Sequence, residues 1–401
     1  MNALQLALAY LRQRPLATAL NVLLLALGVA TLAVLLLFGQ QVERNLAAGA
    51  EGVDFVIGAK GSPLQLILSS VYHLDTPTGN IPLAEADSVA AHPAVASAIP
   101  LALGDSYRGV RIVGTDSSYV ALYGGELAEG RLWAGPGEVV LGARVAAAEG
   151  LSVGDAVVSE HGVSEGAAEH GEPLAVVGVL APGAAVLDGL ILTAVETVWD
   201  VHGLSEEERA ALPPGFEPPP PQLTALLIEG SSPAAVAIYP RYVNAETNLQ
   251  AAVPAIELQR LLRLLGVGVA TLRLFGIVLL AAAALGVFIA LTNAMRERRY
   301  DLAVMRSLGA SRAKLLALVF LEGLLLATLG LIAGLALGHG AVEALGRLAL
   351  GDGTTLALTG WTWAPAEGLL VLVLLGVGLV ASLLPGLLAY RTDVARTLAT
   401  P

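Results

Sequence analysis

Four long apolar runs, separated by stretches of very different texture, organise this chain. The first, Leu16 to Phe38, has 23 residues and no charge, enough at about 1.5 Å per residue to cross a hydrocarbon core ~30 Å thick. The others are Leu274 to Asn293, Leu315 to Leu337 and Gly368 to Tyr390. Between Gln40 and Leu265 no apolar run is long enough to span. Instead, short β-like runs at Gly109 to Val113, Glu138 to Leu141, Ala156 to Ser159, Leu174 to Val179, Leu190 to Thr193 and Leu223 to Ile228 alternate with Gly-, Pro- and Asp-rich turns, the texture of a folded α+β domain. A short helix is expected from Leu83, ended before Pro93. The Pro-rich run Leu212 to Pro221 reads as a stiff surface loop, because a β-like run follows it at once.

The pattern therefore predicts a membrane protein of four transmembrane α-helices, with a large α+β extracytoplasmic domain inserted between the first and second. Its expected divisions are an N-terminus (1–15), a first span (16–38), the inserted domain (39–265), a second span (266–293), a loop (294–314), a third span (315–338), an outer loop (339–366), a fourth span (367–390) and a tail (391–401). From Pro254 to Leu265 apolar and polar positions alternate at helical spacing and run straight into the second span, so domain and span read as one mechanical piece. Trp361 and Trp363 suit interfacial anchors.

Charge orients this plan. Arg296, Arg298, Arg299, Arg306, Arg312 and Lys314 crowd the loop between the second and third spans, Arg12 and Arg14 precede the first, and Arg391 and Arg396 follow the fourth; clustered Lys and Arg in short loops mark the cytoplasmic side. The inserted domain is acidic, with 27 acidic and 10 basic residues between Glu43 and Arg263. That balance argues against nucleic acid as a partner. Within the basic loop, Leu302, Val304, Met305 and Leu308 form an apolar stripe at helical spacing. Gly309 is placed to stop that helix and Ser311 to cap the next.

The loop RERRYDLAVMRSLGASRAKLL resembles that of MacB/FtsX-type permeases of bacterial ABC transporters, close to RERxxEIGxLRALGAS, with Asp301 where Glu is commoner and Ala303 where Gly is commoner. RIVGTDSSYVALY, LAEGRLW, GEVVLGARVAAAEGLSVGDAV and LAVVGVLAPG are similar to the MacB-like periplasmic core domain, and SLLPGLLAYRTDVARTL to the family's closing phrase. The resemblance implies a smaller β lobe at about 103–180. It also implies a coupling helix that docks on a separate ATPase, carried by Arg296, Glu297, Arg298, Arg299, Asp301, Leu302, Met305, Arg306, Leu308, Gly309 and Ser311.

The implied assembly contains a cytoplasmic ABC ATP-binding subunit that holds ATP and Mg, a second permease copy or homologue, membrane lipid and a periplasmic accessory protein. It sits in the bacterial inner membrane with both termini cytoplasmic. Its work is either transport or extraction of a lipoprotein, peptide, amphiphile or metal-linked cargo, or FtsX-like activation of a cell-wall hydrolase without transport.

The chain's own chemistry is sparse. Neither lysine completes a P-loop, since Lys60 follows Ala59 and Lys314 follows Ala313, and neither HExxH nor GxSxG occurs. The chain is thus expected to be no enzyme and to hold no cofactor. Three polar features stand out. Glu322, inside the third span, either pins a helix pivot or only packs; Asn293 and Thr292 are placed to partner it better than Arg273, which lies at the other end of its span. His161 and His170, with Glu160, Glu165, Glu169 and Glu172, form either a metal site or a solvated acidic turn. In the segment Asp54 to Pro82, Leu66, Tyr72, His73 and Asp75 line either a partner or cargo groove or the domain core.

Overall fold

The structure, a computed structural model, describes residues 3–162, 169–183, 186–202, 220–349 and 358–390. Along the chain run α1 (Ala3–Gln13), α2 (Pro15–Gly49), β1 (Phe55–Ala59), α3 (Pro63–Ser70), β2 (Ile81–Pro82), α4 (Leu83–Ala90), β3 (Val95–Tyr107), β4 (Val110–Thr115), α5 (Ser117–Leu122), β5 (Leu127–Gly130), β6 (Glu138–Leu141), α6 (Ala143–Glu149), β7 (Ala156–His161), β8 (Glu169–Leu180), β9 (Ile191–Ala194) and α7 (Val195–Val201). There follow β10 (Gln222–Leu223), β11 (Ala225–Gly230), α8 (Pro233–Glu246), β12 (Leu249–Ala252), α9 (Pro254–Glu297), α10 (Arg299–Ser307), α11 (Arg312–Ala349) and α12 (Pro365–Tyr390). The chain divides into two compact units, one made of Met1–Gln41, Leu265–Gly346 and Leu358–Pro401, the other of Val42–Leu264 and Arg347–Ala357.

In the first unit α2, α9, α11 and α12 are the helices long and apolar enough to cross a membrane. Their shared core contains Leu25, Val29, Leu280, Val287, Leu326, Leu370 and Leu374, while Leu20, Ile277, Leu372 and Val380 stay exposed, the side chains that lipid tails would cover. Lipid is as apolar as leucine, so close packing rather than water exclusion must hold such helices together. Gly330, Gly334 and Gly338 recur every fourth residue of α11 and let α2 approach it: a Cβ on Gly334 would stand 2.5 Å from the Val29 Cβ and 2.8 Å from the Ala26 carbonyl oxygen. The helices overrun the span boundaries expected from hydropathy, α2 continuing to Gly49 and α9 starting at Pro254. The residues added, such as QQVERNLAAG, are helix formers, so the ladder continues where the apolar run stops.

In the second unit, alternation along each strand sorts the core. Val56, Leu101, Val113, Val140, Leu192 and Leu227 join one cluster with Leu66, Ile67 and Tyr119. Their strand neighbours Phe55, Ile57, Ala102, Leu226 and Ile228 join a second with Val89, Tyr239 and Val243, and Ile112, Val139, Leu141 and Ile191 a third with Val145. Successive side chains point to opposite faces of a sheet, so helices cover both sides. The strand order is β12-β1-β11-β3-β4-β9-β6-β8-β5, with β7 pairing β3 and β8 and a separate β10-β2 pair. Strands of the expected smaller lobe thus share one sheet with the rest, and β9, beyond residue 180, belongs with them. The α3 and α8 starts carry their own signals: Ser62 and Ser232 accept from the backbone N–H groups of Gln65 and Ala235, each followed by Pro at the first helical position. Inside this unit Val42 and Leu46 of α2, and Leu258 and Leu262 of α9, belong to or pack against the first cluster.

Candidate functional site

The elbow between α9 and α11 is built by two pieces of local chemistry. At the end of α10, the Ala310 N–H donates to the Met305 carbonyl and the Gly309 N–H to that of Arg306, each at 3.0 Å. This Schellman closure needs a left-handed residue, and Gly309 supplies it at φ 96. Ser311 then accepts from the Lys314 N–H at 3.3 Å and caps α11. One face of α10 buries Leu302 and Ala303; Leu302 packs with Ala294, Met295, Leu315 and Val319, and half-buried Met305 sits at that cluster's edge. The opposite face presents Asp301, Ser307, Tyr300 and, at 83% exposure, Leu308.

Among the basic residues, Arg298 behaves differently from its neighbours. Arg296 is exposed and Arg306 half-buried, and the side chain of Arg299 lies outside the described residues. Arg298, in the turn before α10, points inward and is 7% exposed. Its Nη1 donates to Glu322 Oε1 at 2.8 Å, and its guanidinium carbon sits 3.7 Å from the centre of the Tyr10 ring. The residue expected to face an ATPase is therefore an internal lock. Glu322 is 1% exposed, and the partners expected for it are corrected: Thr292 donates its hydroxyl to the Phe288 carbonyl at 2.8 Å, while Asn293 is exposed; Arg273, set aside on depth, is exposed as well. A buried carboxylate requires a compensating charge, and Arg298, at the turn, delivers one within hydrogen-bond distance.

The rest of the lock comes from the N-terminus. In α1, Ala7 and Tyr10 are buried with Leu318, and Leu6, Leu321 and Leu325 pack against them. Arg14, between α1 and α2, pairs with Glu297. Residues 1–15 were expected to be a plain terminus, although the spacing of Leu6, Ala7, Tyr10 and Leu11 carries the helical signal of this packed face.

At the other end of the same bundle, a polar cluster fastens the stretch before α12. Gln41 Nε2 donates to the Thr359 carbonyl at 2.9 Å and its Oε1 accepts from the Thr359 N–H at 2.8 Å. Glu343 accepts from the Thr359 hydroxyl and the Gly360 N–H, each at 3.0 Å. His339 Nε2 lies 2.9 Å from Glu367 Oε1, a carboxylate that is fully buried and also accepts from the Ala364 N–H. Trp361 and Trp363 are exposed there, and Trp363 stacks on His339.

The segment Asp54 to Pro82 forms core, not a groove. Leu66, Tyr72 and His73 are 1%, 2% and 7% exposed. The Tyr72 hydroxyl donates to the Leu46 carbonyl at 2.6 Å, and His73 Nε2 lies 2.8 Å from the Tyr119 hydroxyl. Burial pushes the His73 pKa down to about 3, with the nearby Arg111 guanidinium acting in the same direction. Arg111 donates to the His73 and Asp75 carbonyls at 2.9 and 2.6 Å, and half-exposed Asp75 accepts from the Thr76 N–H. The turn-rich sequence concealed this because its fasteners lie far along the chain. The side chain of His170, like Glu165, lies outside the described residues; His161 faces Asp105 across the ladder and His202 by its ring. The Pro-rich residues 212–219 and the tail from 391 also lie outside the described set.

Comparison with known proteins agrees with this anatomy. Residues 273–394 match the FtsX-like permease C-terminal family and residues 18–238 the MacB-like periplasmic core domain. Among solved structures, the chain is similar to the periplasmic region of MacB from Actinobacillus actinomycetemcomitans, at 13% identity and a TM-score of 0.33, covering 53% of this chain and 95% of that one. It is also similar to the extracellular domain of the noncanonic ABC-type transporter YknZ from Gram-positive bacteria, at 12% identity and a TM-score of 0.30, covering 49% and 98%. No curated protein matches the chain.

Proposed function

Since the chain belongs to the MacB/FtsX-type permeases of ABC transporters, we propose that it transmits the ATP-driven motion of a separate cytoplasmic ATPase to its large domain, so as to move or extract a substrate outside the cytoplasm. The observation that carries this reading is the two-sided elbow. Outward, α10 offers Tyr300 and Leu308, 60% and 83% exposed, apolar surface for which a soluble partner is the natural cover. Inward, Arg298 ties the same turn to Glu322 and Tyr10, so a push on α10 moves α1 and α11 with it.

Two helices can relay that push. Both α2 and α9 carry residues of the span bundle, and their other ends contribute Val42, Leu46, Leu258 and Leu262 to the domain's packing. A packed interior transmits displacement because it is stiff. Four spans with one outer domain make half of a symmetric assembly, so a second permease copy and two ATPases complete the proposed machine, in the inner membrane with both termini cytoplasmic.

The test is a Tyr300→Glu/Leu308→Asp double variant of the full chain, co-expressed with its ATP-binding subunit. The reading expects the ATPase to be lost from the purified complex while the permease stays folded. Retention of the ATPase at the wild-type ratio would refute it.

A further inference from the structure

We propose that Asp105, His161 and His202 form a binding site for a divalent transition-metal ion of the Zn2+ type, in the extracytoplasmic domain. One ligating atom from each lies within 4.8 Å of the others. Zinc takes imidazole nitrogens and carboxylate oxygens at about 2.0–2.2 Å in tetrahedral arrangement, which puts ligand atoms roughly 3.3–3.5 Å apart. His202 Nε2 and Asp105 Oδ1 already stand at 2.9 Å, so a small outward adjustment of this pair and an inward one of His161 accommodates an ion. Two neutral imidazoles and one carboxylate are a donor set that suits Zn2+ and its neighbours and disfavours Mg2+ or Ca2+, which prefer oxygen.

Three separate elements present the donors, and the backbone holds each in place. β3 changes register against β4 between Leu103 and Asp105, a bulge of the sort that re-aims a side chain. Asp105 is thereby set opposite His161 in the β3–β7 ladder. The end of β7 is fastened to β3 by the Gly162 N–H donating to the Gly104 carbonyl at 2.7 Å and by the Ser106 hydroxyl donating to the Gly162 carbonyl at 2.5 Å. His202 terminates α7, where its N–H donates to the Val198 carbonyl at 3.2 Å, and its ring meets that of His161 edge to face at 5.1 Å between centres.

Asp105 is 4% exposed whereas both imidazoles are open to solvent. An ion could therefore enter from the solvent side, with the buried carboxylate as the charged floor and water completing the coordination. Glu160 alternates to the other face of β7 and is not counted as a donor. The site joins the tip of the β3–β7 pair to the end of α7, residues 105, 161 and 202, which no local spacing in the sequence associates.

The experiment is a Zn2+ titration of the full-length chain in detergent after chelator treatment, with Co2+ substitution read by its visible absorption. The expected result is one equivalent bound at micromolar or lower concentration, with Co2+ giving a tetrahedral-type spectrum. His161→Gln and His202→Gln, at exposed positions that a fold can tolerate, are each expected to weaken binding by about 100-fold, and His170→Gln to leave it unchanged. Asp105→Asn, read only if it elutes as the folded protein, is expected to weaken binding as well. Absence of stoichiometric binding at 100 micromolar Zn2+, equal affinity in the two glutamine variants and wild type, or loss of binding in His170→Gln would each overturn the assignment.

Discussion

Removing the Arg298 side chain is the sharpest available disturbance of the elbow. In Arg298→Ala the Glu322 carboxylate, 1% exposed, loses its partner at 2.8 Å, and Tyr10 loses the guanidinium stacked 3.7 Å from its ring centre. Breaking a buried pair by deleting one member costs about 3–5 kcal/mol, and the cation–π contact adds about 1 kcal/mol. The two share one side chain, so the expected loss is about 4 kcal/mol rather than their sum. Glu322→Gln keeps an acceptor for Arg298 and is expected to cost less, about 1–3 kcal/mol.

An Arg298→Met/Glu322→Met double variant removes both charges, and such replacement is close to neutral in other proteins, so stability should return to within about 2 kcal/mol of wild type. Reversible unfolding of the full chain in mixed detergent–SDS micelles, for wild type, Arg298→Met, Glu322→Met and the double variant, reads all four corners of the cycle. A coupling below about 0.5 kcal/mol would show that the pair stores nothing. Should Glu322→Gln leave both assembly and stimulated ATP hydrolysis at wild-type levels, the pivot role fails.

Other outcomes follow from single sites. Gly334→Val must displace Val29 and the Ala26 carbonyl, 2.5 and 2.8 Å from a new Cβ, and is expected to destabilise the bundle by about 1–3 kcal/mol in the same assay; Gly340→Ala, with nothing within 4 Å, should be neutral or slightly stabilising. His73 folds with its pKa lowered from 6.5 to about 3, so its contribution is fully present above pH 6.5 and is lost as pH falls towards 3. That loss amounts to about 1.4 kcal/mol per unit, and acid titration of His73→Asn, a residue that tolerates the φ of 54° found at position 73, should show a shallower fall below pH 6.5; an identical slope would contradict the buried neutral imidazole. Gly309→Ala forces an L side chain into the left-handed region and should cost about 1 kcal/mol and loosen the elbow, read as faster hydrogen exchange of Gly309–Ala310 amides.

The spans and the elbow were legible because their signals are local: uncharged runs of membrane length, a basic loop, and Gly309 and Ser311 as punctuation. The strands β4, β6, β7, β8, β9 and β11, bounded by glycine and proline turns, were equally plain, whereas β1, β3, β5 and β12 were not: FVIGA of β1 is buried on both faces and lacks the alternation that marks a half-exposed strand, and β3 is rich in small residues and carries Pro100. Arg298 was indistinguishable from five other cations nearby, since what separates it is a turn that points it at Glu322, 24 residues on. The same reason hid the Arg111 clasp on His73 and the meeting of His161 with His202: sequence distance carries no record of which side chains a sheet brings together.

The central claim is that one basic bend and one acidic domain lie on opposite sides of a membrane. The chain contains no cysteine, so single cysteines at Ser307 and at Ala234, in α10 and α8, can be labelled with a membrane-impermeant maleimide in vesicles of known orientation. The account predicts that Ala234→Cys reacts only in right-side-out vesicles and Ser307→Cys only in inside-out ones; labelling of both in the same preparation would contradict it.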